Sequence, residues 1–113
     1  EYSVKLTECE GGYTLVSGNL DSNIDKNHIT LYNKRLETVS DFVVDFSVKS
    51  AIYEGKCIYL LSDNFLNCYN LKGELIYTSV VTLDVKCFVP LDEKSFAAVS
   101  NNFITKIQFE KAE

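Results

Sequence analysis

The sequence predicts an all-β protein made of repeated antiparallel hairpins. Apolar and β-branched residues occur in short runs that turn-forming residues separate, which is the pattern of strands. No stretch shows the apolar spacing of an amphipathic helix over a window of about 11 residues. Two short phrases also recur three times along the 113 residues, and internal repetition indicates stacked structural units.

Each repeat consists of a first phrase that ends in Ser-x-Asn and a second phrase that follows it. The first phrase occupies residues 15–19, 60–64 and 98–102. The second phrase occupies residues 29–33, 66–70 and 104–108. The period is 37 residues from Ile29 to Leu66 and 38 from Leu66 to Ile104. Helical repeats of similar length need amphipathic helices, so this period favours units of about four strands.

The second copy shows the strand order most clearly. Residues 56–61 form a strand of high propensity, and Asp63-Asn64 follows as a tight turn because both residue types tolerate positive φ. Residues 65–69 return antiparallel, Gly73 supplies the permissive backbone of the next turn, and residues 75–81 form a further strand. Connecting strands are predicted before the second and third hairpins, in residues 43–52 and 82–89.

In period, strand count and hairpin pattern, the unit resembles a blade of a β-propeller, of the diverged WD-repeat-like kind. The resemblance covers residues 4–109, although the Gly-His and Trp-Asp dipeptides of typical WD repeats are missing and the chain has no tryptophan. It implies about three antiparallel four-stranded blades, with limits at residues 4–42, 43–81 and 82–109, of which the last supplies roughly three strands. The whole chain, residues 1–113, is then one partial propeller.

Three blades make an incomplete ring, because propellers close with roughly four to eight blades. Open blade faces expose apolar patches, and unpaired edge strands invite association. The remaining blades are expected in the same chain or in a second polypeptide, with a small sandwich or self-association as the other solution. The isolated 113 residues are therefore predicted to be poorly soluble or oligomeric.

The charge of the chain disfavours nucleic acid as a partner, and the lack of a long apolar run disfavours the membrane. The net charge is −5, Arg35 is the only arginine and the lysines are scattered, whereas a nucleic-acid surface needs clustered basic residues. No apolar run approaches the roughly 20 residues that cross a bilayer, and no signal peptide follows Glu1. None of the asparagines lies in a glycosylation acceptor motif, which favours an intracellular protein of the nucleus or cytoplasm.

The first copy carries an insertion between its two phrases, residues 20–28, where the later copies have one residue. The insertion is polar and is predicted to form a hairpin loop. Loops longer than their repeat siblings often make the contacts of such proteins. The predicted partner-binding residues of this loop are Asp21, Asn23, Asp25, Lys26 and His28.

A calcium site in the same loop is a weaker alternative. Asp21, Asn23 and Asp25 place oxygen ligands at alternating positions, as calcium-binding loops do. Lys26 stands where the sharp turn needs glycine, and Tyr32 stands where a bidentate carboxylate is expected. The corresponding alternative function is an extracellular ligand-binding or calcium-binding β domain with disulfides.

The cysteines and the single histidine give no catalytic or zinc-binding signature. Four cysteines form no Cys-x-x-Cys pair, and they are interpreted as free thiols in strands, with two disulfides as the alternative: Cys9, Cys57, Cys68 and Cys87. His28 lies in the insertion, away from these predicted strands. Asp41, Asp45 and Asp84 are expected at turns or solvent faces. The sequence therefore predicts a protein-interaction scaffold that is not an enzyme and needs no cofactor.

Overall fold

The structure, a computed structural model, describes residues 4–20, 23–81, 84–92 and 94–112. Within these residues the prediction of an all-β fold is confirmed, since twelve strands accompany one short 3₁₀ turn, η1 at Glu10–Gly12. The strands form three antiparallel sheets, of four, five and three strands. None of the described helices is long and apolar enough to cross a membrane.

The first sheet is a meander in which each strand pairs with the next along the chain. Its strands are β1 (Val4–Glu8), β2 (Thr14–Leu20), β3 (Asn23–Tyr32) and β4 (Thr38–Val44). Gly12 in the β1–β2 turn has a φ of 80°, and its missing side chain leaves room for Lys34 of the β3–β4 turn. The two turns at this end of the sheet therefore pack directly on each other.

The middle sheet repeats the meander and gains a fifth strand from the end of the chain. Its consecutive strands are β5 (Ser50–Glu54), β6 (Cys57–Leu61), β7 (Phe65–Tyr69) and β8 (Leu75–Val80). The short strand β12 (Glu110–Lys111) pairs antiparallel with β8 and covers its outer edge. The third sheet has the order β11-β10-β9, from β9 (Cys87–Asp92), β10 (Ser95–Val99) and β11 (Ile104–Gln108).

The turns of the second repeat form at the predicted positions, although neither Asp63 nor Asn64 takes the positive φ that the prediction assumed. The backbone N–H of Ser62 donates to the carbonyl of Phe65 at 2.9 Å, which closes the Asp63-Asn64 turn. Gly73 has a φ of 82°, as the next turn requires. In that turn Asn70 Oδ1 accepts from the backbone N–H groups of Lys72 and Glu74, at 2.9 and 3.0 Å. Asn33 caps the equivalent turn of the first sheet in the same way.

The first copy of Ser-x-Asn, unlike the second, does not end a strand. Gly18 and Asn19 lie inside β2, which continues to Leu20. The insertion lengthens both strands of this hairpin, so the prediction of a loop over residues 20–28 is wrong for residues 23–28. Pairing passes from Leu20–Asn23 to Asn19–Asn27, which leaves residues 24–26 of β3 as a bulge against β2.

The middle sheet is buried on both faces, because the other two sheets cover it. Leu60 belongs to the core shared with the first sheet, and its neighbour Tyr59 belongs to the core shared with the third sheet. Successive side chains of a strand point to opposite faces, so β6 is a continuous apolar run, and β7 is apolar except for the buried Asn67. The largest fully buried side chains are Phe96, Leu15, Ile29, Leu31, Ile58, Leu60, Leu61, Leu66 and Cys68.

The chain leaves the third sheet after β11 and returns to the middle sheet. Phe109 is buried there, with its ring centroid 4.9 Å from Phe96, 6.0 Å from Tyr59 and 6.1 Å from Tyr77. This anchor delivers β12 to the edge of β8. The prediction of four strands per unit therefore fits the first sheet, whereas the middle sheet has five strands and the third has three.

Candidate interaction surfaces

The residues predicted to bind a partner lie on or beside the lengthened hairpin of the first sheet. Asp25 and Lys26 are exposed in the bulge of β3, and His28 is half-buried two residues further on. The backbone of Asn23 begins β3, and Asp21 lies outside the described residues. The structure thus brings three of these side chains to one end of a strand rather than to the tip of a loop.

The calcium candidate gains no support from the geometry. No group of three or more His, Cys, Asp or Glu side chains among the described residues could hold a metal ion. Asp21, one of the three suggested ligands, falls outside that part of the chain, and Asp25 already takes part in another interaction. A calcium site therefore stays a prediction.

His28 is joined to Asp41 across the first sheet. Nε2 of His28 and Oδ1 of Asp41 form a hydrogen bond, and Thr30 donates from Oγ1 to the same carboxylate oxygen at 3.5 Å. The side chains of both hydrogen-bond partners are partly exposed. The carboxylate of Asp41 is therefore held by two neighbours on the sheet.

This pair lies on the outer face of the first sheet, which we call outer face 1 and define by Val4, Leu6, His28, Asp41 and Val43. The opposite face of the same sheet carries the buried core side chains. One row of residues crosses all four strands of this face, from Val4 through Gly18 and His28 to Val43. Its apolar members are exposed, at 53% for Val4, 64% for Leu6 and 50% for Val43.

The third sheet has a matching surface at the other end of the stack. We call it outer face 3 and define it by Cys87, Val89, Leu91 and Ile104. These side chains alternate with Phe88 and Phe96, which pack against the middle sheet. Val89 and Leu91 are about half-exposed and Ile104 is 73% exposed. Both ends of the three-sheet stack therefore present apolar side chains to solvent.

A polar pocket borders outer face 3 near the β9–β10 turn. It has a volume of about 410 Å³ and is lined by Asp92, Lys94, Ser95, Lys106 and Gln108. The backbone N–H of Lys94 and the hydroxyl of Ser95 donate to Asp92 Oδ1, at 2.8 and 3.0 Å, and these bonds hold the pKa of Asp92 below its usual range. The carboxylate thus closes a turn and is not poised as a catalytic acid.

The thiols and phenols of the core are unsuited to catalysis. All four cysteines are free, and Cys68 is buried between the middle and third sheets. Burial, together with the neighbouring Cys57, raises the pKa of the Cys68 thiol well above its usual value. Burial likewise raises the pKa of the Tyr59 hydroxyl. A thiol that stays protonated is a poor nucleophile, so these groups pack rather than react.

Comparisons with known proteins give no functional lead. No protein-family model matches the chain, and neither the curated proteins nor the solved structures contain a significant match. The function must therefore be argued from the surfaces of the molecule itself.

Sequence reasoning expected roughly three strands in residues 82–109 but missed the return of the chain to β8. The two residues of β12 are too few to show strand periodicity. The available signal was Phe109, an aromatic residue just beyond the third copy of the repeat, which is buried in the core of the middle sheet.

Proposed function

We propose that this chain is a non-enzymatic protein-interaction module whose end sheets pack against further β-sheets. Those sheets belong to the same polypeptide or to a second subunit, and together they complete a propeller-like stack. The observation that carries the proposal is the contrast between the middle sheet, buried on both faces, and the two end sheets, each with exposed apolar side chains on one face.

The contrast between the buried and the exposed face is visible on neighbouring strands of the first sheet. Ile29 and Leu31 on β3 are fully buried against the middle sheet, whereas Val43, on the opposite face of the neighbouring strand, is 50% exposed. On outer face 1 the exposed apolar side chains lie on the two edge strands, β1 and β4, and exposed apolar side chains that share one sheet face are typical of surfaces that another element covers. The Asp41–His28 pair within outer face 1 adds a polar contact that fixes the register of such a partner.

A reducing compartment fits the free thiols. Cys87 is exposed on outer face 3, and the other three thiols are likewise unpaired. Proteins of the cytoplasm and nucleus keep such thiols reduced, whereas secreted domains of this size tend to use disulfides. We therefore place the module inside the cell. The thiols would be counted on protein that is purified from its natural source and then denatured without reductant. A count of four reactive thiols would support this placement, and a count of zero would support the disulfide-containing extracellular alternative.

Photo-crosslinking from the sheet face tests the proposal. A benzophenone side chain at position 43 of outer face 1 should capture another protein segment in the native cellular context. Position 36 is the matched control, because Leu36 is also exposed but lies in the β3–β4 turn. Discrete products from position 43 alone would support the proposal, and identical products or no products from both positions would contradict it.

A further inference from the structure

Strand β11 has one open edge, unlike the strands that correspond to it in the other two sheets. Among the described residues β11 pairs only with β10, whereas β3 lies between β2 and β4, and β7 lies between β6 and β8. The second phrase of the repeat lies in all three strands. Leu66 and Ile104 lie opposite the second residue of the first phrase, Leu61 and Val99, whereas Ile29 lies opposite the third residue, Ser17. Within the described residues the third sheet therefore lacks the fourth strand that its two siblings have.

The open edge presents its backbone groups in a defined pattern. Ser100 N–H donates to the Phe103 carbonyl at 3.0 Å. This bond determines which residues of β11 form backbone hydrogen bonds with β10. Residues of an antiparallel strand alternately bond to the partner strand and point away from it. The N–H and C=O groups of Ile104, Lys106 and Gln108 consequently point to the open edge.

The middle sheet shows what occupies this position when a fourth strand is present. The carbonyl of Asn64, two residues before Leu66, accepts a hydrogen bond from the N–H of Val81 at 2.9 Å. The ladder continues with Leu66 opposite Ser79 and Cys68 opposite Tyr77. In the third sheet the equivalent edge groups belong to Asn102, Ile104 and Lys106.

We propose that β11 binds an extended segment of a partner protein as an antiparallel fourth strand. This inference rests on the proposed function, because it names how the partner engages one end of the stack. The side chain of the partner opposite Ile104 is apolar, since Ile104 continues outer face 3. The side chain opposite Lys106 is acidic, because opposite charges directly across a strand pair stabilise it. From its N-terminal side, the recognised segment of the partner therefore consists of an acidic residue, any residue and an apolar residue.

The described part of this chain does not supply the strand itself. After Gln108 the backbone turns inward at Phe109, and residues 110 and 111 pair with β8. A second copy is also disfavoured, because full overlap of two antiparallel β11 strands places Lys106 directly opposite its own counterpart. Like charges in that position destabilise a strand pair.

A peptide with a sequence derived from β4 is the probe. It has the sequence of residues 37–44 with Ser40→Glu. If the peptide pairs with β11 as β4 pairs with β3, Phe42 of the peptide lies opposite Ile104 and the new carboxylate lies opposite Lys106. A control peptide carries Ser40→Lys instead. We expect the Glu peptide to bind more tightly than the Lys peptide, and the Lys106→Glu protein to reverse that order.

Hydrogen exchange locates the bound peptide. Binding should slow exchange of the amide protons of Ile104, Lys106 and Gln108 by about tenfold or more, and leave those of Thr105 and Ile107, which already bond to β10, much less changed. The Lys106→Pro protein should bind the peptide about fivefold to tenfold more weakly than Lys106→Ala, because it lacks one edge donor. Binding without protection of the three edge amides would overturn the proposal.

A peptide-side control covers the case in which Lys106→Pro does not fold. N-methylation at Phe42 of the peptide removes an N–H that faces β11, whereas N-methylation at Asp41 removes one that faces away. Only the first should abolish binding, and equal effects of the two would overturn the proposal.

The same data separate this inference from the proposed function. Protection of the three edge amides without peptide, growing with protein concentration, would show that a second copy fills the edge and would also overturn the proposal. If the peptide fails to bind while crosslinking from position 43 still captures a protein, the edge proposal is wrong and the interaction module stands. Failure of both experiments would reject both.

Discussion

Gly73 of the β7–β8 turn lies directly against Phe42 of β4, and a Cβ atom on residue 73 would come within 2.9 Å of the Phe42 Cβ. This contact joins the middle sheet to the first sheet. Ser40 strengthens it, because its hydroxyl donates to the carbonyl of Leu71 in the same turn at 2.7 Å. The turn that the repeat predicts therefore also fixes how two neighbouring units pack.

Gly73→Ala should destabilise the protein through both its backbone and its packing. The positive φ of residue 73 costs about 1 kcal/mol for a non-glycine residue, and the collision with Phe42 adds roughly 1–3 kcal/mol. Gly55→Ala is the control, because Gly55 also has positive φ but a Cβ atom there would meet nothing within 4 Å. Urea unfolding should show the larger loss for Gly73→Ala, and equal losses would mean that the contact with Phe42 contributes nothing.

Phe109→Ala should remove the anchor that returns the chain to the middle sheet. Truncating this buried ring costs about 3–5 kcal/mol of unfolding free energy. The amide protons that β12 and β8 share should also exchange faster in the variant. Phe103→Ala, at a half-exposed phenylalanine, should cost under about 1 kcal/mol. Unchanged exchange at β12 in Phe109→Ala would show that Phe109 does not hold this strand.

Acid should weaken the protein partly through Asp84. Lys86 and then Lys49, at 3.0 and 3.6 Å, lower the pKa of Asp84 below its ordinary value of 3.8. Its ionised form therefore stabilises the native state above that value, and the contribution is lost as the pH falls through the lowered pKa. Asp84→Asn should flatten the fall of the urea midpoint below about pH 4.

Salt distinguishes this ion pair from hydrogen bonding elsewhere. Asp84 is fully exposed, so about 1 M salt should remove most of the difference between the wild type and Asp84→Asn. Asp92 is the comparison, because its pKa is lowered first by the N–H of Lys94 and the hydroxyl of Ser95. The effect of Asp92→Asn should survive the salt. An Asp84 effect that salt leaves intact would contradict the ion-pair explanation.

The four thiols should differ widely in reactivity. Cys87 is exposed, whereas Cys68 is fully buried and its pKa is raised. An alkylating reagent should modify Cys87 in the native protein and reach Cys68 only when the protein unfolds. Mass spectrometry of peptides after timed labelling would measure this order. Native labelling of Cys68 as fast as that of Cys87 would contradict the burial of β7 between two sheets.

Local chemistry explains which parts of the fold the sequence could predict. Gly73 accepts the positive φ of its turn, and Asp63 and Asn64 are common turn residues, so the positions of the neighbouring strands could be predicted. The insertion of the first copy misled the prediction, because its polar residues suit a loop and an exposed strand equally well. Pairing of Asn23, Asn27 and His28 with β2, and of the last two also with β4, decided the outcome, and such pairing is not a local property.

The candidate surfaces were predictable only in outline. An incomplete set of units implies open faces, and the end sheets carry exposed apolar side chains. The identity of those side chains depends on which face each strand turns to the core, as Ile104 and Ile107 show on opposite faces of β11. The missing fourth strand of the third sheet depended on where the chain goes after Gln108. That path is set by the contacts of Phe109 in the folded molecule.

Sedimentation velocity of the wild type beside Leu6→Lys and Leu36→Lys tests the central claim most directly. We expect the wild type and Leu36→Lys to associate as concentration rises, because outer face 1 is uncovered in both. Leu6→Lys places a charge on that face and should sediment closer to a monomer at the same concentration. A wild type that stays a sharp monomer, or equal association of all three proteins, would contradict the claim that this face needs a partner.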